Sequence, residues 1–335
     1  MEIRKVQVTG GSSFTITLPK EWIRKMNIRK NDTLGLISQP DGNLLITPNT
    51  SQEHVQKVKE IHVDQIKDTN YLFRQLIGAY IMGFNLFKVI SSGKITAQVR
   101  DCVTYFTQTA IGPEIIEETL NVITIKDLLN PMEMPFEKSI RRINILVSTM
   151  HEDVITALEK SDLELANDVI SRDREINRRH WLIARQSNMV FQDIILAQKM
   201  GVTLEDANHY YLISRHLERI GDHAVRIANN IAKLIEKKID SNIIEHLSKA
   251  SSFSLDILND SLDALRTRNI DLANDCIEAI SNLVDLCEEI SKFPTDSKEI
   301  SLTLNYIAES IRRTGEYAGN IAEVIINNLI IDVKR

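Results

Sequence analysis

The stretch RHLERIGDHAVRIA at residues 215–228 decides the architecture of this chain. It lies within a row of apolar residues, Ile213, Leu217, Ile220, Ala224, Ile227, Ile231 and Leu234, that steps by threes and fours. That period puts an apolar stripe on one face of a long helix and charge on the other. Part of the stretch returns near the C-terminus: Arg219-Ile220-Gly221-Asp222-His223-Ala224 is echoed 94 positions on by Arg313-Thr314-Gly315-Glu316-Tyr317-Ala318. Upstream of each copy, Leu165-Ala166-Asn167-Asp168 recurs 107 positions on as Leu272-Ala273-Asn274-Asp275. Two offsets differing by 13 describe one duplicated unit with a shortened connection. Each copy accommodates three helices, over residues 136–160, 162–195 and 203–237, then 241–267, 269–292 and 298–330. Links this short predict antiparallel up-and-down bundles. Gly221 and Gly315 fall in mid-helix, where each costs about 1 kcal/mol relative to alanine. Their recurrence predicts close helix contact at those points.

Outward from the bundles the grammar changes. Phe136, Ile140, Ile143, Val147, Met150, Val154 and Leu158 form the first core stripe, and Pro131 and Pro135 mark the boundary before it. After Pro135 the only proline is Pro294, which is read as part of a turn at 292–297. Residues 51–133 mix helical spacing (71–82, 95–106) with strand-like runs (86–90, 122–125), which predicts a small α/β segment. Residues 1–50 read as two hairpins: 4–9 with 14–18 around Gly10-Gly11, and 33–38 with 44–47 around Asp41-Gly42. Pro19 opens a short helix between them, with Arg24 and Lys25 in its last turn. Fewer than about fifty residues bury little apolar area, so this head is expected to need a partner, most simply a second copy of itself.

Composition bounds the function class. The 335 residues are 43% apolar and 26% charged, ordinary globular usage. The most hydrophobic run, residues 76–90, is broken by Gly78, Gly83, Asn85 and Lys88, and the N-terminus lacks a signal-peptide layout. The expectation is a cytoplasmic protein without membrane insertion. Cys102, Cys276 and Cys287 have no paired spacing and read as reduced packing residues. The head carries seven cations against four acids, a net +3 on a chain of −6, so a basic head sits on an acidic body. A polyanion partner and a merely solvated basic face both fit that asymmetry.

Glu218 and Asp222 are four apart on one helical face, beside Arg215, Arg219 and Arg226, and Asp173 and Asn177 repeat the spacing on the preceding helix. Four oxygen-bearing side chains on antiparallel helices fit a hard cation. A salt-bridge ladder, Asp222 with Arg226 and Glu218 with Arg215, fits the same spacing. A di-iron oxidase would need paired Glu-x-x-His motifs, and Asp206-x-x-His209 is the nearest approach. His216 is read as a surface residue and His223 as a packing residue; Gly93-Lys94 lacks the glycine and the Ser or Thr of a phosphate-binding loop.

The stretch at 215–228, with VISRDREIN at 169–177, resembles the bundle repeat of PhoU phosphate-uptake regulators, from about residue 136 to the C-terminus. GGSSFTITLPKEW at 10–22, with residues 32–36, resembles the AbrB-type swapped-hairpin DNA-binding domain. The two occur fused in archaeal PhoU-like proteins, which share a segment similar to RQLIGAYIMG at 74–83. The resemblance implies a mainly α protein: a swapped-hairpin domain at 1–50, an α/β linking domain at 51–133, and PhoU-like three-helix bundles at 134–238 and 239–335. It implies a non-enzymatic regulator of phosphate homeostasis, partnered by a phosphate transporter or phosphate-signalling protein. By the same resemblance, Asp173, Asn177, Glu218 and Asp222 would hold a divalent or trivalent ion of the iron, zinc, manganese or magnesium class. The second repeat offers Ile280, Val284, Arg312 and Glu316 instead, so only the first bundle is expected to bind. The head would form a homodimer whose Arg4, Lys5, Lys20 and Arg24 contact DNA phosphates. Ser12 and Ser13 stand where many AbrB relatives carry an arginine, which weakens the expected base reading. A scaffold that binds another protein through its bundles is the competing reading.

Overall fold

The computed structural model describes every residue except 1, 39–41, 49–55, 67, 236, 238, 296 and 333–335. The chain divides into two compact units, residues 1–55 and 56–335.

In the first unit, β1 (Gln7–Thr9) pairs antiparallel with β2 (Ser13–Thr15), and β3 (Gly35–Ser38) with β4 (Leu44–Thr47). Gly10 and Gly11 turn the first hairpin at φ +67° and +88°, backbone that glycine adopts without strain. Gly42 turns the second at φ +84°, while Asp41 of the expected Asp-Gly turn lies outside the described residues. Helix α1 (Lys20–Lys25) begins directly after Pro19. Among its described residues this unit buries none: Ile3 is 83%, Phe14 75% and Leu36 66% exposed.

The second unit begins with a four-stranded sheet in the order β5-β6-β8-β7, made of Val58–His62, Leu86–Ile90, Val122–Asp127 and, at the far edge, Pro113–Glu118. Strands β5 and β6 are parallel, joined through α2 (Thr69–Ile81); the other pairs are antiparallel. Helix α3 (Ala97–Thr109) packs beside α2, and their apolar faces enclose Leu72, Tyr80, Phe87, Phe106, Ile123 and Ile125. The α/β segment thus has its own core, and it contains two strands, β5 and β7, beyond the sequence expectation.

Seven further helices follow: α4 (Phe136–Lys160), α5 (Leu163–Gln192), α6 (Ile194–Met200), α7 (Leu204–Leu234), α8 (Ser241–Thr267), α9 (Ile270–Ser291) and α10 (Lys298–Asp332). Six match the expected helices, whereas α6 is extra. Asp193 explains it: its carboxylate accepts from the backbone N–H groups of Ile195 and Leu196, so it caps a new helix instead of continuing α5. Thr203 and Asp206 form a capping box at the start of α7. The two bundles share one apolar core, running from Phe136 through Ile176 and Ile220 to Ile257, Leu283 and Ile321. At the glycines the helices touch: a Cβ on Gly221 would lie 2.5 Å from Ile176 Cδ1, and one on Gly315 2.1 Å from Leu283 Cδ2.

The α/β segment is fastened to α5. Arg185 Nη2 meets Asp127 Oδ2 at 2.6 Å, Nη1 donates to the carbonyls of Tyr80 and Phe84, and the guanidinium stands 4.7 Å from the Tyr80 ring centroid. Gln186 Nε2 donates to the carbonyls of Pro131 and Met134 at 2.8 and 2.7 Å, holding the proline-marked boundary in place.

Candidate functional site

The groove between α5 and α7 gathers the expected acidic residues. The two helices, connected through α6, pack against each other, and the Gly221–Ile176 contact brings their backbones close. Asp173 and Asn177 then face Asp222 and Glu218. Asp173 Oδ2 accepts from Asn177 Nδ2 at 2.6 Å, while Asp173 Oδ1 is buried without a hydrogen-bond partner. Burial first, then the charge of Asp222, holds the Asp173 carboxyl above its usual range; the same two causes raise Glu218. Three carboxylates therefore press on one another across the groove.

The cation that answers them is not the one the i, i+4 spacing suggests. Arg219 pairs with Asp222 at 3.0 Å and with Glu218 at 3.5 Å, in place of the expected pairs with Arg226 and Arg215. Arg172 is engaged elsewhere, with Asp153 at 2.6 Å and Asp168 at 3.0 Å. Arg219 is the one guanidinium in an ion pair with these acids, and Arg215 acts on Glu218 from farther off, yet Asp173 and Glu218 both stay above their usual range. The donor set suits a hard cation, since it offers carboxylate oxygens and one of them is buried and unpaired. It is not drawn into coordination geometry: among the described residues no group of three or more His, Cys, Asp or Glu side chains converges on a metal position.

The equivalent groove of the second bundle is closed. Ile280 Cδ1 would lie 2.3 Å from a Cβ on Gly319, so apolar contact fills the place of Asp173. Arg312 bonds Glu309 at 2.8 Å and also Glu316, and Arg313 bonds both, at 3.0 and 2.9 Å. Two guanidiniums balance two carboxylates there.

The histidines beside the acidic pair pack. His216 is not a surface residue: it and His223 flank the Tyr317 ring, with centroids 5.9 and 5.8 Å away. His209 Nδ1 accepts from Asn328 Nδ2 at 2.7 Å, and the Asp206 carboxylate caps Thr203 N, so this pair does not form a metal-ligating motif. His151, buried at the centre of the molecule, donates from Nε2 to the Ile220 carbonyl at 3.1 Å. All three cysteines are free and buried, and burial pushes the thiols of Cys276 and Cys287 up to about 11 and about 12. As expected, they pack.

In the first unit, Lys5, Lys20 and Arg24 are exposed, and Arg4 is tied to Glu2 at 2.7 Å. Lys20 and Arg24 share helix α1; Arg4 and Lys5 precede β1. Val8, Phe14, Ile16 and Leu36 are also open to solvent on the single chain. Sequence reasoning missed the residues that organise the second unit, Arg185 and Asp127, because no spacing rule links positions on different segments.

Tandem three-helix bundles around one shared core, an acidic groove in the first copy only and a separate double-hairpin head define a two-repeat helical protein with an appended β module. The chain belongs to the PhoU domain family, which it matches over residues 140–231 and 247–325. Residues 7–53 match the family described as antidote-toxin recognition MazE, bacterial antitoxin. The phosphate-specific transport system accessory protein PhoU homolog 1 of Thermotoga maritima is 25% identical over 204 residues, 57% of this chain and 84% of that protein. The corresponding PhoU homolog of Caulobacter vibrioides is 36% identical over 96 residues, 28% of this chain and 38% of that protein. The crystal structure of PhoU from Pseudomonas aeruginosa is similar at a TM-score of 0.49 and 20% identity, covering 59% of this chain and 96% of that one. Among the described residues no helix is long and apolar enough to cross a membrane.

Proposed function

We propose that this protein is a cytoplasmic, non-enzymatic regulator of phosphate uptake, accessory to a phosphate transport system. In this reading its head dimerises and contacts DNA, and its first bundle takes one metal ion per chain. The observation that carries the reading is the match of both bundles to the PhoU family, whose relatives here are named as phosphate-specific transport accessory proteins. Labelled-phosphate uptake in cells with and without the gene tests it: uptake that ignores external phosphate in one strain but not the other supports the role, and identical responses refute it.

The head reading is supported by its net positive charge, its match to the MazE family and its exposed apolar residues, which a second copy would cover. Phosphate contacts dominate protein–DNA affinity, so removing Lys5, Lys20 or Arg24 should each lower the salt slope of binding to the upstream DNA by about one. The metal reading is supported by the unpartnered Asp173 oxygen and the mutual repulsion of Asp173, Glu218 and Asp222. A bound cation would supply the positive charge that Arg219 alone does not. Elemental analysis of the wild type, Glu218→Ala with Asp222→Ala, and Glu316→Ala should show loss of metal in the double variant only. A metal-free wild type under replete conditions would make the groove a salt-bridge ladder and favour the scaffold reading.

A further inference from the structure

A cleft of about 900 Å³ opens where α4 and α7 of the first bundle meet α8 and α10 of the second. It shares α7 with the acidic groove but none of its residues, being lined by Asp206, His209, Tyr210 and Ile213 where the groove uses Glu218 and Asp222, and neither the metal reading nor the DNA reading uses it. Its floor is apolar: Ile140 and Ile213 are buried beneath it, and Leu262 and Leu265 form one wall. Its carboxylates are engaged. Glu137 accepts from the Tyr210 hydroxyl at 2.9 Å, Asp206 from Thr203 N at 2.9 Å, and Asp263 from Arg266 Nε at 3.2 Å. Arg141 lines the mouth, is exposed, and has no hydrogen bond or ion pair among the described residues. Because His209 Nδ1 accepts from Asn328, the neutral ring presents Nε2–H as a donor.

The polar lining is not a by-product of the duplication. The repeat offsets carry Arg141 onto Ser248, His209 onto Thr303, Tyr210 onto Leu304 and Asn328 onto Leu234, while Arg266 corresponds to Glu159. The two arginines, the imidazole, the phenol and the amide thus have no like residue at the equivalent positions of the other repeat, which hold Ser248, Glu159, Thr303, Leu304 and Leu234. A volume of this size lies in the range of small-molecule sites and would be mostly empty around a bare inorganic anion. An apolar floor with donors above it accommodates a flat heterocycle, and a free guanidinium at the mouth is the group that binds phosphate oxygens best.

We propose that this inter-bundle cleft binds a nucleoside phosphate, its base over Ile140 and Ile213 and its phosphates toward Arg141. Isothermal titration calorimetry on the full chain in chelator, so that the acidic groove holds no metal, tests it with ATP, adenosine and inorganic phosphate. The variants are Arg141→Glu, at an exposed position, and Asn328→Leu, which installs the residue of the other repeat; thermal melting by circular dichroism confirms that both fold. ATP should bind saturably and lose at least about tenfold in affinity in each variant, the scale of one charge-assisted contact. Adenosine should bind more weakly than ATP and be indifferent to Arg141→Glu. Saturable ATP binding absent at millimolar concentration, or unchanged in both variants, overturns the site. Inorganic phosphate binding as tightly as ATP and lost in Arg141→Glu overturns the nucleoside class.

Discussion

Replacing Arg185 should release the α/β segment from the first bundle, because this one side chain satisfies a buried carboxylate, a buried carbonyl and a half-buried one at once. Arg185 and Asp127 side chains are 3% and 4% exposed. Truncation to alanine strands the Asp127 charge and removes the donor to the Tyr80 and Phe84 carbonyls. Breaking one partner of a buried pair costs about 3–5 kcal/mol, and orphaned carbonyls add to that, so Arg185→Ala is placed near the upper end. A double-mutant cycle separates the terms. The carbonyls are orphaned in Arg185→Met and in Arg185→Met with Asp127→Asn alike, so they cancel, and the coupling between the two charges should come out at about 2–4 kcal/mol.

The assay is already in the chain. Trp181 packs edge-on against Phe73 of α2, centroids 6.1 Å apart, so its fluorescence reports docking of the α/β segment on α5. The chain has two tryptophans, and a Trp22→Phe background silences the other. Urea titration of Arg185→Ala should show the Trp181 transition moving to lower denaturant than the helical circular dichroism transition, a departure from two-state behaviour. The pH response has a definite sign. Burial holds the Asp127 carboxyl above its usual range even with Arg185 beside it, and removal of Arg185 raises it further. A raised carboxyl binds its proton more readily in the folded state, so the variant's deficit should shrink as pH falls from about 7 toward 5. Coincident transitions in the variant, or a loss below about 1 kcal/mol, would refute the latch.

Three further outcomes follow from the packing. Gly221→Ala should destabilise by about 1–2 kcal/mol, overpacking against Ile176 outweighing the gain of about 1 kcal/mol in helix propensity, and adding Ile176→Val, which removes the crowded Cδ1, should recover most of the loss in urea melts. Burial depresses His151 to about 4, as it does His180 and His223, so each stays neutral in the folded state while the unfolded chain takes a proton below about 6.5; each should lower stability as pH drops from about 6.5 to about 4, by up to about 1.4 kcal/mol per pH unit, and His151→Gln should remove its share of that fall and leave the rest. Residues 56–335 hold their own core, so deleting 1–55 should leave the helical signal and melting of the bundles intact, while light scattering should show whatever dimer the head supports disappear.

The helices were legible because apolar stripes are a property of one segment. Phe136, Ile140 and Ile143 announce α4 without reference to any neighbour, and the recurrence at Gly221 and Gly315 correctly foretold crowded helix contacts. What was missed depended on partners. Strand β5 carries Lys59 and Glu60, and only Ile61 of its five residues is buried; β7 begins at Pro113 and continues through Glu114, Glu117 and Glu118. Both are edge strands, which tolerate charge and a leading proline, so neither shows the apolar run by which the central β6 and β8 were found. Asp193 falls inside the expected helix 162–195, and nothing in its sequence context marks it as the cap of α6, which depends on the local chain path. In the acidic groove, residue positions followed from the period of the two helices, but the pairing did not: i, i+3 and i, i+4 partners are equally close on a helix, and the rotamer of Arg219 chose between them.

The two repeats show how a duplicated fold divides its roles. Each must keep a small residue where the second and third helices cross, and each does, at Gly221 and Gly315. The crossing fixes which side chains face one another but not their charge. In the second bundle that freedom went to closure, with Ile280 against Gly319 and two arginines matched to two glutamates, an arrangement complete in itself. The groove of the first bundle sets three carboxylates against one ion-paired guanidinium, with Arg215 acting on Glu218 from farther off, and leaves Asp173 Oδ1 without a donor. Like charges four apart cost a few tenths of a kcal/mol, and an unpaired buried oxygen costs more. Since the second copy demonstrates that the same backbone can be satisfied internally, packing does not require the deficit in the first, and it is this difference that the proposed metal reading would explain.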